Sequence, residues 1–320
     1  MHINVALQMD SPESLDVQTD STLALAACAQ ERGHTLWSYH PRDLRYEDGR
    51  VLTNAAPFHV HYHKTPPYQL GTYKTLDLRD VDVVLLRQDP PFDMSYITTT
   101  YLLELIHPDT LVVNNPTEVR NAPEKLFLTR FPTLMPPTLI SSDLTSIQAF
   151  RQRHEDIILK PLYGNGGFGV FRLKPGDENL GSLVDLFKSR SSEPFIVQRY
   201  LSEVRQGDKR IILVDGEPVG ALNRIPIDGD VRSNMHVGGR AEPASLTQQD
   251  HHLCATIGPT LKEKGLLFVG IDVIGSWMTE VNVTSPTGIQ AIRHLSGTDI
   301  ASLTWNAIEQ HMQKRRSMAN

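Results

Sequence analysis

Residues 157–172 read IILKPLYGNGGFGVFR. An apolar strand ends at Lys160 and runs into four glycines within six residues, Gly164, Gly166, Gly167 and Gly169. Glycine costs backbone entropy in ordered structure, so such a cluster implies close approach of the backbone to something else. A lysine beside it suggests a phosphate. The glycines formally match G-x-G-x-x-G, but a dinucleotide-binding loop opens a helix. Here VFRLKPGD follows, with β-branched and aromatic residues and then a turn, so strand follows strand. No Walker A pattern occurs. A protein kinase places its lysine after the loop and carries H-R-D and D-F-G elements that are absent here. What remains is a lysine followed by a glycine-rich β-hairpin whose N–H groups can form an anion site. A surface hairpin beside an unrelated lysine is the alternative this segment leaves open.

A second stretch, LLFVGIDVIGSWMTEVNVTSPTG at 266–288, carries the complementary chemistry. Asp272 interrupts an apolar strand, where an ionised carboxylate is costly unless exposed, paired or metal-bound. If Gly275-Ser276-Trp277 form a three-residue hairpin loop, Asp272 lies opposite Glu280. Asn282 then points to the same face as Glu280. Two carboxylates and an amide oxygen on one face suit a hard cation such as Mg²⁺. An exposed face on an edge strand is the competing reading, and the core-type neighbours Val269, Ile271, Val273 and Ile274 argue against it.

A chain of 320 residues is long for one core and predicts two or three packed units. A net charge of −6 argues against non-specific nucleic-acid binding, which needs a basic surface. The two cysteines, Cys28 and Cys254, fit neither a zinc pattern nor a disulfide framework, and the N-terminal MHINVALQMD lacks a signal-peptide layout. A soluble cytoplasmic protein is the expectation. Strand signals at 3–8, 35–39, 81–87 and 110–114 alternate with helix signals such as 21–33, which predicts a parallel α/β sheet. Residues 50–74 read as strands and loops. A boundary falls near 114–123, followed by a helix from Glu124 to just before Pro132. Beyond it come a helix at 143–154, the glycine hairpin, a helix at 180–189, and strands at 195–200, 210–214, 219–224, 267–274 and 278–283. This second half reads as α+β.

Six blocks in order, LRQDPPFD, NAPEKLF, DIILKPLYGNGG, GDKRIILVDGEP, GPTLKEKGLLFVGIDVIG and TEVNVTSPTG, resemble the motifs of the bacterial glutathione synthetases over nearly the whole chain. The resemblance implies the ATP-grasp fold with an N-terminal parallel-sheet domain at 1–120. A small subdomain with the glycine loop at 121–195 and a large one with metal site and lid at 196–320 would follow. It implies a ligase that phosphorylates γ-glutamylcysteine with ATP and joins the acylphosphate to glycine, giving glutathione, ADP and phosphate. An ATP-grasp ligase with another acceptor and a non-catalytic nucleotide-binding regulator are the alternatives.

Carried over residue by residue, the resemblance implies that Lys125 and Lys160 hold ATP phosphates. Gly164, Asn165, Gly166 and Gly167 would cover them, and Gln198, Tyr200 and Leu201 would meet the adenine. Asp272, Glu280 and Asn282 match the ligands of Mg²⁺, with Mn²⁺ as the substitute. Arg210, with Lys160, would stabilise the transferring phosphoryl group. Arg87, Arg224, Asn234, Arg240, Ser285 and Thr287 match positions that hold peptide and glycine. Residues 225–240, without apolar period, would form a lid that keeps water from the acylphosphate. A homotetramer is implied as well. The N-terminal block MDSPESLDVQTDST and the residues Tyr163 and Phe168 depart from the family pattern.

Overall fold

The computed structural model describes residues 1–16, 18–230, 232–233 and 238–319. Strands Thr35–Tyr39, Asn4–Gln8, Val83–Leu86 and Leu111–Val113 lie side by side in that order, all parallel. Such strands are covered on both faces, and Val83–Leu86 is buried throughout. The long strand Arg50–Val60 adds antiparallel to Thr35–Tyr39 and pairs with the short strands Arg45–Glu47, Tyr68–Leu70 and Lys74–Asp77. Residues 50–74, read as strands and loops, are therefore mostly strand. Helix Ser21–Glu31 starts at Asp20, whose carboxylate accepts from the Leu23 N–H at 2.7 Å. Helix Met94–Glu104 has no counterpart among the expected elements, because three consecutive threonines mask its signal. The Asp93 cap and the buried Tyr96 and Leu103 hold it instead.

Two antiparallel sheets make up the second half. The first runs in the order Phe171–Leu173, Ile157–Pro161, Phe195–Arg199, Thr138–Ser141 over its own core of Ile147, Phe150, Leu159, Val184 and Phe195. Strand Phe195–Arg199 belongs to this sheet, so a division at 195/196 cuts one of its members and the unit extends to Arg199. The other runs Arg240–Pro243, Glu217–Ile225, Asp208–Val214, Phe268–Ile274, Trp277–Asn282. Two expected elements are corrected. The helix expected from Glu124 is only a 3-10 turn, Phe127–Arg130. The segment read as a boundary loop holds helix Pro116–Asn121, where Pro116 occupies the first turn and Asn115 caps it. Helix Gln248–Glu263 was hidden by the internal Pro259 and opens on a Thr247–Asp250 capping box. No helix of the described residues is long and apolar enough to cross a membrane.

Buried Asn114 joins the N-terminal sheet to the last one. Its Nδ2 donates to the carbonyls of Phe268 and Val283, and its Oδ1 accepts from the Phe268 N–H, each at 2.8 Å. Both ends of the hairpin that carries Asp272 and Glu280 are thus tied to one side chain. Asn114→Ala strips three buried backbone groups of their partner and is expected to cost about 2–4 kcal/mol. Denaturant unfolding measures it, and a loss under about 0.5 kcal/mol would contradict this account.

Candidate active site

The acidic hairpin reaches its geometry by a route other than the expected one. Ile274 pairs with Trp277, so the turn has two residues, Gly275 and Ser276, with Gly275 at φ +60°. A two-residue turn alone would set Asp272 opposite Thr279. A β-bulge between Asp272 and Val273 absorbs one residue and restores the Asp272–Glu280 pair. Asn282 faces Gly270, two residues along. Its Nδ2 donates to Gly270 O at 3.3 Å and to Asp272 Oδ2 at 3.5 Å.

Four cations surround these carboxylates. Arg210 holds both oxygens of Asp272, through Nε to Oδ1 and through Nη2 to Oδ2 at 3.0 Å. Its Nη1 donates to Thr287 O at 3.3 Å. Arg224 Nη2 lies 2.6 Å from Asp208 Oδ2 and 3.0 Å from Asp272 Oδ2. Burial alone would raise the Asp272 pKa, but the two arginines hold its carboxyl well below the usual carboxylate range. Glu280 sits 3.5 Å from both Lys125 Nζ and Lys160 Nζ. Burial opposes its charge, and the two lysines outweigh that and lower its pKa. Lys160 is lowered in turn by burial, partly offset by Glu280.

The donor set suits a hard divalent cation bridged to phosphates, which needs only one or two carboxylates from the protein. Among the described residues there is no cluster of three or more His, Cys, Asp or Glu that would form an all-protein cage. Asp272, Glu280 and the amide of Asn282 fit the first kind of site.

Above them lies the glycine loop, joining antiparallel strands Ile157–Pro161 and Phe171–Leu173. Lys125 Nζ donates to Gly164 O, which ties the loop to the acidic hairpin. Gly166, Gly167 and Gly169 all have positive φ, and a Cβ on Gly169 would meet Pro161 at 2.9 Å. A cleft under the loop is lined by Lys125, Lys160, Gln198, Tyr200 and Leu201, as expected, and also by Asp208. Asp208 escaped the sequence reading; its Oδ1 is buried and has no hydrogen-bond partner among the described residues. If Lys160 holds a phosphate, Lys160→Gln should weaken ATP binding about ten- to a hundredfold and adenosine binding hardly at all. Calorimetry with both ligands decides it, and equal weakening would make the lysine structural.

A second cavity, of about 390 Å³, opens on the other side of Glu280. Arg210, Arg224, Ser285 and Thr287 line it, with Asn165 and Gly166 at the loop. The other expected substrate residues lie elsewhere. Arg87 is buried behind the 285–287 loop, where it donates to Thr22 Oγ1 and Pro286 O, both at 3.1 Å. Arg240 is exposed at a sheet edge and paired with Glu242. Asn234 falls outside the described residues, as do positions 231 and 235–237 of the expected lid. Arg224 is engaged by two aspartates, so it positions Asp272 as well as lining the cavity. Glu124 was also missed. It lines the cavity, accepts from Thr284 Oγ1 at 3.1 Å, and burial together with Glu280 pushes its carboxyl up to about 7. A roomier groove beyond the glycine loop is lined largely by apolar residues such as Phe92, Met94, Phe168 and Phe187, with Asp93, Arg190 and Glu193 its charged members among the described residues.

Comparison with known proteins agrees with this layout. Residues 3–120 match the family described as "Prokaryotic glutathione synthetase, N-terminal domain", and residues 124–297 match "Prokaryotic glutathione synthetase, ATP-grasp domain". The chain is 58% identical to the glutathione synthetase of Brucella melitensis, covering 97% of this chain and 99% of that protein. It is 55% identical to that of Mesorhizobium japonicum, with the same coverage. The crystal structure of D-cycloserine synthetase DcsG superposes with a TM-score of 0.70 at 17% identity, over 97% of this chain and 99% of that one, which establishes the shared fold. With both halves of the chain matched, an ATP-grasp fold in common with solved ligases and relatives above 50% identity over nearly their full length, this protein belongs to the prokaryotic glutathione synthetase family.

Proposed function

We propose that the protein is an ATP-dependent ligase that joins γ-glutamylcysteine to glycine, giving glutathione, ADP and phosphate. One observation carries the reading beyond family membership: the nucleotide cleft and the second cavity share Glu280, Asn165 and Gly166 in their walls. A terminal phosphate at that junction is held on one side by Lys125 and Lys160. On the other side it faces the cavity that receives a carboxylate.

In this reading Lys125 and Lys160 act as point charges on the phosphates, and the loop's N–H groups cover them. Asp272, Glu280 and Asn282 would hold Mg²⁺, which neutralises charge on the phosphate oxygens when bound. Arg210, locked by Asp272 and Thr287 O, presents a fixed guanidinium to the charge that develops during phosphoryl transfer. The peptide carboxylate attacks phosphorus and ADP leaves. The amine then forms the C–N bond, phosphate departs with the C–O electron pair, and the amine sheds its surplus protons. A homotetramer in the cytoplasm belongs to the same reading, and light scattering tests the subunit count.

Phosphate release is the direct test, with ATP, Mg²⁺, γ-glutamylcysteine and glycine each omitted in turn. Full turnover is expected only with all four. Turnover that persists without the peptide, or that another dipeptide supports as well, would overturn the assignment.

A further inference from the structure

Two carboxylates in the acceptor cavity, Glu124 and Asp89, have no part in the scheme above. Glu124 lies at the inner end, next to Glu280, while Asp89 is exposed at the mouth. The position of Glu124 is set from two sides. Its carbonyl accepts from the Val281 N–H at 3.0 Å, and its carboxylate accepts from Thr284 Oγ1. Both bonds lead to the strand and loop that carry Glu280, Asn282 and Ser285.

The nearby cations are otherwise engaged. Lys125 is bound to Gly164 O and Glu280, and Arg210 to Asp272 and Thr287 O. Among the described residues Glu124 has no ion-pair partner, and Thr284 Oγ1 is its one side-chain hydrogen bond. A carboxylate can accept about four. A half-buried carboxylate without a direct cation partner is costly to ionise, and here the open side of the group is the cavity itself. The missing cation is one that a substrate brings.

Resting on the function proposed above, we infer that Glu124 receives the amino group of the incoming amino acid and sets the enzyme's choice of a cationic primary amine as second substrate. Its place beside Glu280 puts that nitrogen next to the junction where the acylphosphate forms. A peptide's own ammonium, remote from its reacting carboxylate, belongs farther out, toward Asp89.

The test uses the full-length enzyme with ATP, Mg²⁺ and γ-glutamylcysteine, and either glycine or hydroxylamine as nucleophile. Hydroxylamine is uncharged at neutral pH and traps an acylphosphate as a hydroxamate. Glu124→Gln keeps the acceptor for Thr284 and removes only the charge. The glycine KM is expected to rise about ten- to a hundredfold, the range for loss of one charge-assisted contact. The KM values for peptide and ATP should stay within about threefold, so that amide formation falls relative to hydroxamate formation. Glu124→Asp, which keeps the charge on a shorter stem, should fall between the two, and it carries the test should the glutamine variant not fold. Equal losses with both nucleophiles, an unchanged glycine KM, or the same selective effect from Asp89→Asn would each overturn the inference. Wild-type enzyme that makes neither product would instead refute the ligase reading itself.

Discussion

Glu280→Gln is expected to abolish turnover with a smaller fall in the thermal midpoint than Asp272→Asn, which should lose both turnover and much of its stability. The two carboxylates face each other across one hairpin, yet their surroundings differ. Glu280 is met by two buried lysines at 3.5 Å but keeps 21% of its side chain exposed, and a glutamine amide oxygen can still accept from them, so its replacement costs the fold less. In the proposed function, losing it removes a metal ligand, and with it the group that meets both Lys125 and Lys160 beside the glycine loop. A metal ion supplies several kcal/mol of transition-state stabilisation, so phosphate release should drop by about a thousandfold or more. Asp272 has the same proposed role toward the metal and a structural one besides. It is the buried counter-ion of both Arg210 and Arg224. Removing one partner from a buried ion pair leaves the other uncompensated, at a cost of about 3–5 kcal/mol. Steady-state phosphate release and thermal unfolding, run on the same two preparations, measure the split. Near-normal turnover in the glutamine variant would remove Glu280 from the metal site. An unchanged midpoint in the asparagine variant would mean that the arginines find other partners.

Arg210→Lys should lower kcat by about a hundred- to a thousandfold with little change in the KM for ATP. Arg210 contacts both oxygens of Asp272 and the carbonyl of Thr287, a three-way attachment that uses the planar fork of its guanidinium. Lysine keeps the charge and cannot span the same acceptors. The expected loss is that of one preorganised donor to a developing anion, about 2.7–4 kcal/mol. An interaction made only in the transition state lowers kcat and kcat/KM together, whereas a ground-state contact raises KM. Steady-state kinetics with saturating peptide and amine distinguish the two. A kcat within threefold of wild type would show that charge alone suffices at this position.

Much of the site was legible in the sequence because it depends on short-range geometry. Strand alternation brings Glu280 and Asn282 to one face, and four clustered glycines announce a tight loop between two strands. The turn itself was misjudged. Nothing in GSWMTE distinguishes a three-residue loop from a two-residue turn followed by a bulge, since both return Asp272 to Glu280. Arg87 and Arg224 were carried over from the family resemblance as substrate contacts. Their burial, and the groups that already occupy them, could not be seen in a linear string.

The amino-acid sequence by itself determined the family, the order of the blocks, the glycine loop between two strands and the pairing of Asp272 with Glu280. These depend on spacings of a few residues, where backbone periodicity dictates which side chains share a face. Only the tertiary structure decided which cations stand against which carboxylates. Arg210 and Asp272 are 62 positions apart, and Lys125 and Gly164 are 39 apart. It also decided that Asp208 and Glu124 belong to the site. Each is one carboxylate among 37 acidic residues, with no local pattern to mark it. What singles them out is burial beside a cavity with too few protein partners, and burial is a property of packed sheets rather than of neighbours along the chain.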